Sequence, residues 1–191
     1  MIEDDKEIKI YVIRHGEAGK SWSEDLDPGL SVKGSEQSEE LIQKLSADYE
    51  NTKFKIFSSP LLRAQETAIP LQKRFGFNIE IDKTFAEMPS PGVPLVERSA
   101  WLKNIFDAKV DELETPQIEW RKEIISKISA IKEDTIIFSH FMVINTIVGW
   151  LKNFDETVNF YPANCSITKL SKRGKEISLA ERGQELTTFV N

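Results

Sequence analysis

Short β-branched runs alternate with stretches of helical period along this chain, and the alternation predicts most of its architecture. Residues 8–13, from Ile8 to Ile13, read as a buried strand. Ser31 can cap a helix running to about residue 49, with Gly34 a local weakness near its start. Phe54 to Ser58 is a short second strand. Ser59-Pro60 then places a capping hydroxyl before a proline at the first helical position. Leu61, Leu62, Ala64, Ala68 and Leu71 keep helical spacing until Gly76, and Asn78 to Ile81 is a third strand.

Three prolines and a glycine make residues 87–94 the clearest loop. Residues 95–109 and 117–132 are amphipathic and helical in period, Thr135 to Phe138 is a buried strand, and 142–152 is an apolar helix. Residues 164–171 and 175–180 read as strands flanking a turn at Lys172-Arg173-Gly174, and the last ten residues as a tail or lid. No repeat or linker divides the chain. One domain over 1–191 is expected, α/β in class: a three-layer α/β/α sandwich around a central, mostly parallel sheet, with 88–132 as a helical, cap-like segment.

Composition narrows the function classes. At 191 residues the chain can bury a sizeable core, and its 40% hydrophobic and 29% charged residues suit a globular protein. The net charge of −6 supplies no basic field for nucleic acid, although a few arginines in a pocket can still hold an anion. The single Cys165 excludes an internal disulfide and leaves too little sulfur for a thiolate metal site; buried packing is its expected role. The acidic start, Met1 to Glu7, is unlike a signal peptide. No apolar run approaches the ~18 residues of a spanning helix. A cytoplasmic location, no membrane and no nucleic-acid partner are expected.

The two histidines draw attention because each follows a strand. His15 stands in Arg14-His15-Gly16-Glu17, and His140 follows Thr135 to Ser139. In an open parallel sheet, ligands bind beyond the carboxyl ends of the strands. Arg63 lies in the first turn after the second strand, and Glu87 follows the third. Four segments thus deliver Arg14, His15, Arg63, Glu87 and His140 to one edge, a set suited to phosphoryl transfer. Arginine forks bind phosphate oxygens in pairs. An imidazole nitrogen can attack phosphorus when its other nitrogen is fixed as a donor, and a carboxylic acid can protonate the departing alkoxide. Gly16 lets backbone come close beside the nucleophile. Trp22, Trp101 and Trp120 read as packing, and Glu17 as a surface residue or an orienter of the loop.

These residues carry a family resemblance. Arg14-His15-Gly16-Glu17 resembles the signature of the histidine phosphatase superfamily, the phosphoglycerate-mutase-like fold, on its phosphatase branch. Leu30-Ser31-Val32-Lys33-Gly34-Ser35-Glu36-Gln37 is similar to its "L-S/T-x-x-G-x-x-Q" segment, and Ser58 to Ala68 to its second arginine motif. Phe85-Ala86-Glu87 falls where members carry the acid, Ser139-His140 where they carry the second histidine, and Asn164-Cys165-Ser166-Ile167 at a late strand entry. The match runs in order over about residues 8–170. It implies that His15 is the nucleophile and that Arg14, Arg63 and His140 hold the phosphoryl oxygens, His140 as a charged clamp. Glu87 would be the general acid and then the base. Neither metal nor cofactor is implied, since cationic side chains stand where a metal would.

Two departures stand out. Members usually place glycine after the second histidine, where this chain has Phe141, a residue able to narrow the pocket or offer a face to the leaving group. Met88-Pro89-Ser90-Pro91 replaces the glycine-rich acidic stretch that often follows the acid. The expected function is metal-independent hydrolysis of phosphate monoesters through a phosphohistidine, with Arg14, Gly16, Arg63, His140 and Phe141 binding a phosphorylated small molecule rather than a phosphoprotein. The alternatives are mutase-type phosphoryl transfer, a protein-phosphohistidine phosphatase, and a phosphate-binding module with weak catalysis. Mutases resembling this family usually carry an asparagine several residues after the signature, and Glu17 to Trp22 contain none. Lys20, Lys33, Arg98 and Lys103 are optional contacts for a second substrate charge.

Overall fold

The structure, a computed structural model, describes residues 6–50 and 52–186. Among these, the strands form a six-stranded sheet in the order β3-β2-β4-β1-β5-β6. The strands are β1 (Ile8–Arg14), β2 (Lys55–Ser58), β3 (Ile79–Ile81), β4 (Thr135–Ser139), β5 (Ile167–Arg173) and β6 (Glu176–Glu181). β3, β2, β4 and β1 run parallel, and β5 and β6 join antiparallel beyond β1. The helices are α1 (Val32–Glu50), α2 (Leu62–Phe75), α3 (Arg98–Asp107), α4 (Thr115–Ala130) and α5 (Phe141–Lys152). The three-layer α/β/α class with a mostly parallel sheet is therefore the observed one.

The alternation within β1 decides which helix goes where. Ile10 and Val12 enter one core with Trp120, Ile124 and Ile128 of α4 and the apolar face of α5. Tyr11 and Ile13 point the other way, onto Leu41 and Leu45 of α1 and Ala68 and Leu71 of α2. A strand buried on both faces needs an unbroken apolar run, as residues 10–13 provide. Each fully buried aliphatic side chain stabilises by about 1.5–3 kcal/mol, so the two clusters hold the layers together. Within 88–132, α4 lies in the core beside α5, while α3 stands further out. Among the described residues, no helix is long and apolar enough to cross a membrane.

Three local expectations change. The helix after β2 starts at Leu62, not Pro60, and its flanking Leu61 offers no side-chain cap. The capping acceptor is Asp27, whose Oδ1 receives the Leu62 N–H at 2.8 Å. Ser59 Oγ accepts the Leu61 N–H just before the helix at 3.2 Å, and it also bonds His140 Nε2 at 2.7 Å. Gly34 is no mere weakness in α1. A Cβ there would lie 2.1 Å from the Glu17 carbonyl oxygen, and one on Gly16 would lie 2.6 Å from the Gly34 carbonyl oxygen. The two glycines let the loop after β1 lie directly on the start of α1, where Ser31 Oγ accepts the Gly34 N–H as a true cap. Finally, β5 runs on through Arg173, and the hairpin turns at Gly174-Lys175, with Gly174 at φ 56°. Of the expected tail, 182–186 is described and 187–191 lies outside the described residues.

Candidate active site

Parallel strands end on the same edge, and that edge collects the chemistry. β1 runs out into Arg14-His15, β2 into Ser59 and then Arg63 on α2, and β4 into His140 at the head of α5. From β3 the chain passes through a short 3-10 turn at Lys83–Phe85 to Glu87. Because β5 is antiparallel, its start lies at this edge too, bringing Asn164 beside the end of β1.

His15 is 6% exposed and held at both ring nitrogens. Nδ1 lies 2.6 Å from its neighbour's carbonyl oxygen, on Gly16, and Nε2 receives the Arg63 Nε–H at 3.2 Å. Since that guanidinium nitrogen can only donate, Nε2 carries the lone pair and Nδ1 the proton. The Asn164 side-chain amide donates to the His15 carbonyl at 3.0 Å, and the Gly16 N–H donates to Thr67 Oγ1 at 2.9 Å. Burial, then Arg14 and Arg63, hold the His15 pKa well below the usual histidine value. The ring is therefore neutral near pH 7, as a nitrogen nucleophile must be.

Arg14 points Nη1 at the Pro162 carbonyl (2.7 Å), and its guanidinium lies 5.3 Å from the Phe141 ring centre. Burial pulls its pKa down to about 10 against the opposing pull of Glu87, which leaves a cation at neutral pH. Arg63 is 3% exposed; Asp27 Oδ1 lies 3.8 Å from its Nη1, and the Trp22 ring centre 5.9 Å from its guanidinium carbon. Glu87 responds to both arginines. Burial raises its carboxyl above the usual range, outweighing the backbone N–H groups of Met88 and Met142 and the two cations, all of which favour the ionised form. A carboxyl whose pKa is raised by burial gains in readiness to carry a proton, as a general acid needs.

His140 is completely buried, with its ring centre 5.2 Å from that of His15. Burial, then Arg63, His15 and Arg14, push its pKa well below the histidine value. Burial first, and the neighbouring cations after it, thus favour the neutral form of the ring, whereas the resemblance implies a charged clamp. Ser59 Oγ accepts the Leu61 N–H at 3.2 Å and lies 2.7 Å from His140 Nε2, a bond in which either atom can be the donor. The other ring nitrogen, Nδ1, is buried and has no hydrogen-bond partner.

A cavity of about 400 Å³ opens over Arg14, His15 and Glu87 and is walled by Phe106, Phe141 and Tyr161. A second cleft, about 320 Å³, lies along Arg63, Glu87 and Arg98. Of the second-charge candidates only Arg98 reaches these spaces. Lys20 pairs with Asp25 at 3.0 Å, Lys33 with Glu17 at 2.9 Å, and Lys103 is exposed. Glu17 orients the loop: its carboxylate takes Ser31 Oγ and Lys33 Nζ, which lower its pKa, and its N–H meets Gln37.

Several supporting residues escaped sequence reading. Ser139 Oγ donates to the Phe85 carbonyl at 2.9 Å, Trp120 Nε1 to that of Ala86 at 3.0 Å, and Gln117 to that of Pro89 at 2.8 Å. Together they fix the segment bearing Glu87. Trp120 was legible as a core residue but not as a positioning one. Trp22 lines both spaces instead of serving only as packing. Cys165 is buried, its thiol pushed up to about 12 by burial, at φ 54°. Its N–H bonds the Arg14 carbonyl, and that turn aims Asn164 at His15. Among the described residues, no group of three or more His, Cys, Asp or Glu is placed to hold a metal.

Comparison with known proteins agrees with the motifs. The model of the histidine phosphatase superfamily (branch 1) matches residues 10–92, which include Arg14, His15, Arg63 and Glu87. The Bacillus stearothermophilus protein YhfR superposes with a TM-score of 0.77 at 18% identity, covering 94% of this chain and 98% of its own. The mycobacterial glucosyl-3-phosphoglycerate phosphatase gives 0.71 at 19% identity, covering 94% and 100%. An Entamoeba histolytica phosphoserine phosphatase, solved with 3-phosphoglyceric acid, gives 0.71 at 22%, covering 93% and 97%. At these identities the structures speak for the fold. No curated protein matches the chain. The resemblance to that family is borne out over residues 10–92, and the phosphoglycerate-mutase-like fold over most of the chain.

Proposed function

For a chain with the histidine phosphatase pattern and fold, we propose a phosphatase that hydrolyses small phosphate monoesters through a phosphohistidine on His15. The observation that carries this reading is the fixed His15 ring, its lone pair on Nε2 and its Nδ1 hydrogen on the Gly16 carbonyl. In the first step Nε2 attacks phosphorus and the ester P–O bond breaks. Glu87 gives its proton to the departing alkoxide, and Arg14, Arg63 and the His140 ring receive the charge that develops on the phosphoryl oxygens. In the second step the Glu87 carboxylate takes a proton from water, whose oxygen attacks phosphorus. The N–P bond breaks, phosphate leaves, and His15 is neutral again.

The position of Glu87 beside both arginines supports catalysis over a binding module, since a pure phosphate clamp gains nothing from a carboxyl. A labelled phosphoester should leave acid-labile, base-stable phosphate on His15. Turnover that persists in His15→Ala with no such label would overturn the proposal.

A further inference from the structure

We infer that the outer part of the larger cavity is a leaving-group subsite for a flat, apolar, uncharged group, which makes aryl-type monoesters the preferred substrate class. This rests on the phosphatase reading above and goes beyond it in naming what the phosphate is attached to.

The wall is built from three separated parts of the chain. Phe106 comes from α3, Phe141 is the first residue of α5, and Tyr161 stands in the segment before β5. Phe106 and Phe141 stack with ring centres 5.1 Å apart and planes inclined at 20°. Tyr161 lies 5.6 Å from Phe141 and meets Phe106 edge-on at 6.4 Å. The guanidinium of Arg14 lies over Phe141, so the phosphate-binding cation and the aromatic wall are one continuous surface. Leu102 and Leu186 extend the apolar lining.

Charge argues the same way. A phosphorylated sugar acid carries a carboxylate that needs a second cation. Among the described residues, the lining of this cavity holds Arg14 as its one permanent cation, together with the acidic Glu17 and Glu87. Lys33 is already paired with Glu17, and Arg98 opens onto the neighbouring cleft. A carboxylated leaving group would find rings there, with Arg14 already engaged by the phosphoryl group. A neutral ring finds stacking partners, and the cavity's 400 Å³ is within the roughly 300–1,000 Å³ of pockets that enclose small ligands.

Phosphonates separate binding from turnover. Benzylphosphonate, methylphosphonate and 3-phosphonopropionate would be titrated calorimetrically into the whole protein. Benzylphosphonate should bind about tenfold tighter than methylphosphonate, the worth of a good aromatic stack. Phe106→Ala should bring that ratio close to one. Leu102→Lys, at a half-exposed helix position, should instead turn the preference toward 3-phosphonopropionate. Equal affinities for the benzyl and methyl ligands, or tightest binding of 3-phosphonopropionate by the unaltered protein, would overturn the subsite. If phosphate release from p-nitrophenyl phosphate survives alongside that result, the phosphatase reading stands without it. Loss of all phosphonate binding together with all turnover would reject both.

Discussion

The two ends of the main cavity are made differently. At the inner end His15 is held through both ring nitrogens and its backbone carbonyl. At the outer end Phe106, Phe141 and Tyr161 meet through ring packing. The inner groups come from strand ends, where the sheet's hydrogen-bond register sets position. The outer ones come from α3, the head of α5 and the segment before β5. The magnitudes differ too: one preorganised donor to a developing charge is worth about 2.7–4 kcal/mol, one aromatic pair about 0.5–1.5 kcal/mol. The molecule thus separates what reacts, which must not move, from what is selected, which can vary at small energetic cost.

Substitutions can break or sharpen that separation. His15→Ala should lower kcat on the order of 10⁶-fold for every leaving group, as measured by phosphate release. A loss confined to one substrate would show that the two ends are not separable. Glu87→Gln should cost roughly 10²–10⁴-fold with alkyl esters and less with p-nitrophenyl phosphate, whose leaving group needs little protonation. The pH dependence follows from the two shifts. Glu87 acts protonated and its pKa is raised, so kcat/KM falls as pH rises through that raised value. His15 acts neutral and its pKa is lowered, so kcat/KM falls on the acid side only below the usual histidine range. Glu87→Gln should abolish the alkaline limb and keep the acid one.

Gly34→Ala tests the frame beneath the inner end. Its Cβ would press on the Glu17 carbonyl at 2.1 Å, so about 1–3 kcal/mol should be lost, lowering Tm by roughly 2–12 °C in thermal melts. Asn164→Ala should reduce kcat about tenfold with KM little changed, since the amide steadies His15 through its carbonyl. A change in KM for aryl substrates alone would place Asn164 with the selecting end instead.

The inner end was largely legible in the sequence, because short motifs at strand ends specify both residue type and place. Arg14, His15, Arg63 and His140 each follow an apolar run that could only be a strand or lead into a helix. The outer end was legible at Phe141 alone, as a departure after a recognised histidine. Phe106 and Tyr161 carry no local signal, since their meaning comes from three segments converging in space. The same holds for Ser59 and Asp27. Local capping rules assign Ser59 to the helix beside it, where it does accept the Leu61 N–H, but they show neither its long-range bond to His140 nor the Leu62 N–H taken by Asp27. Tertiary competition of this kind is invisible to neighbour-based rules.

The place of β1 in the sheet has a consequence for biosynthesis. Ile10 pairs with Thr135 on one side and Leu170 on the other, so β1 is flanked by two strands that come far later in the chain. A nascent chain emerging from the ribosome carries Arg14 and His15 early but cannot seat them until β5 has been translated. Such non-local closure slows folding and leaves an apolar strand waiting for partners. Catalytic competence therefore waits for the segment that leads into β5, and a chain arrested before residue 164 would hold His15 without Asn164 to steady it.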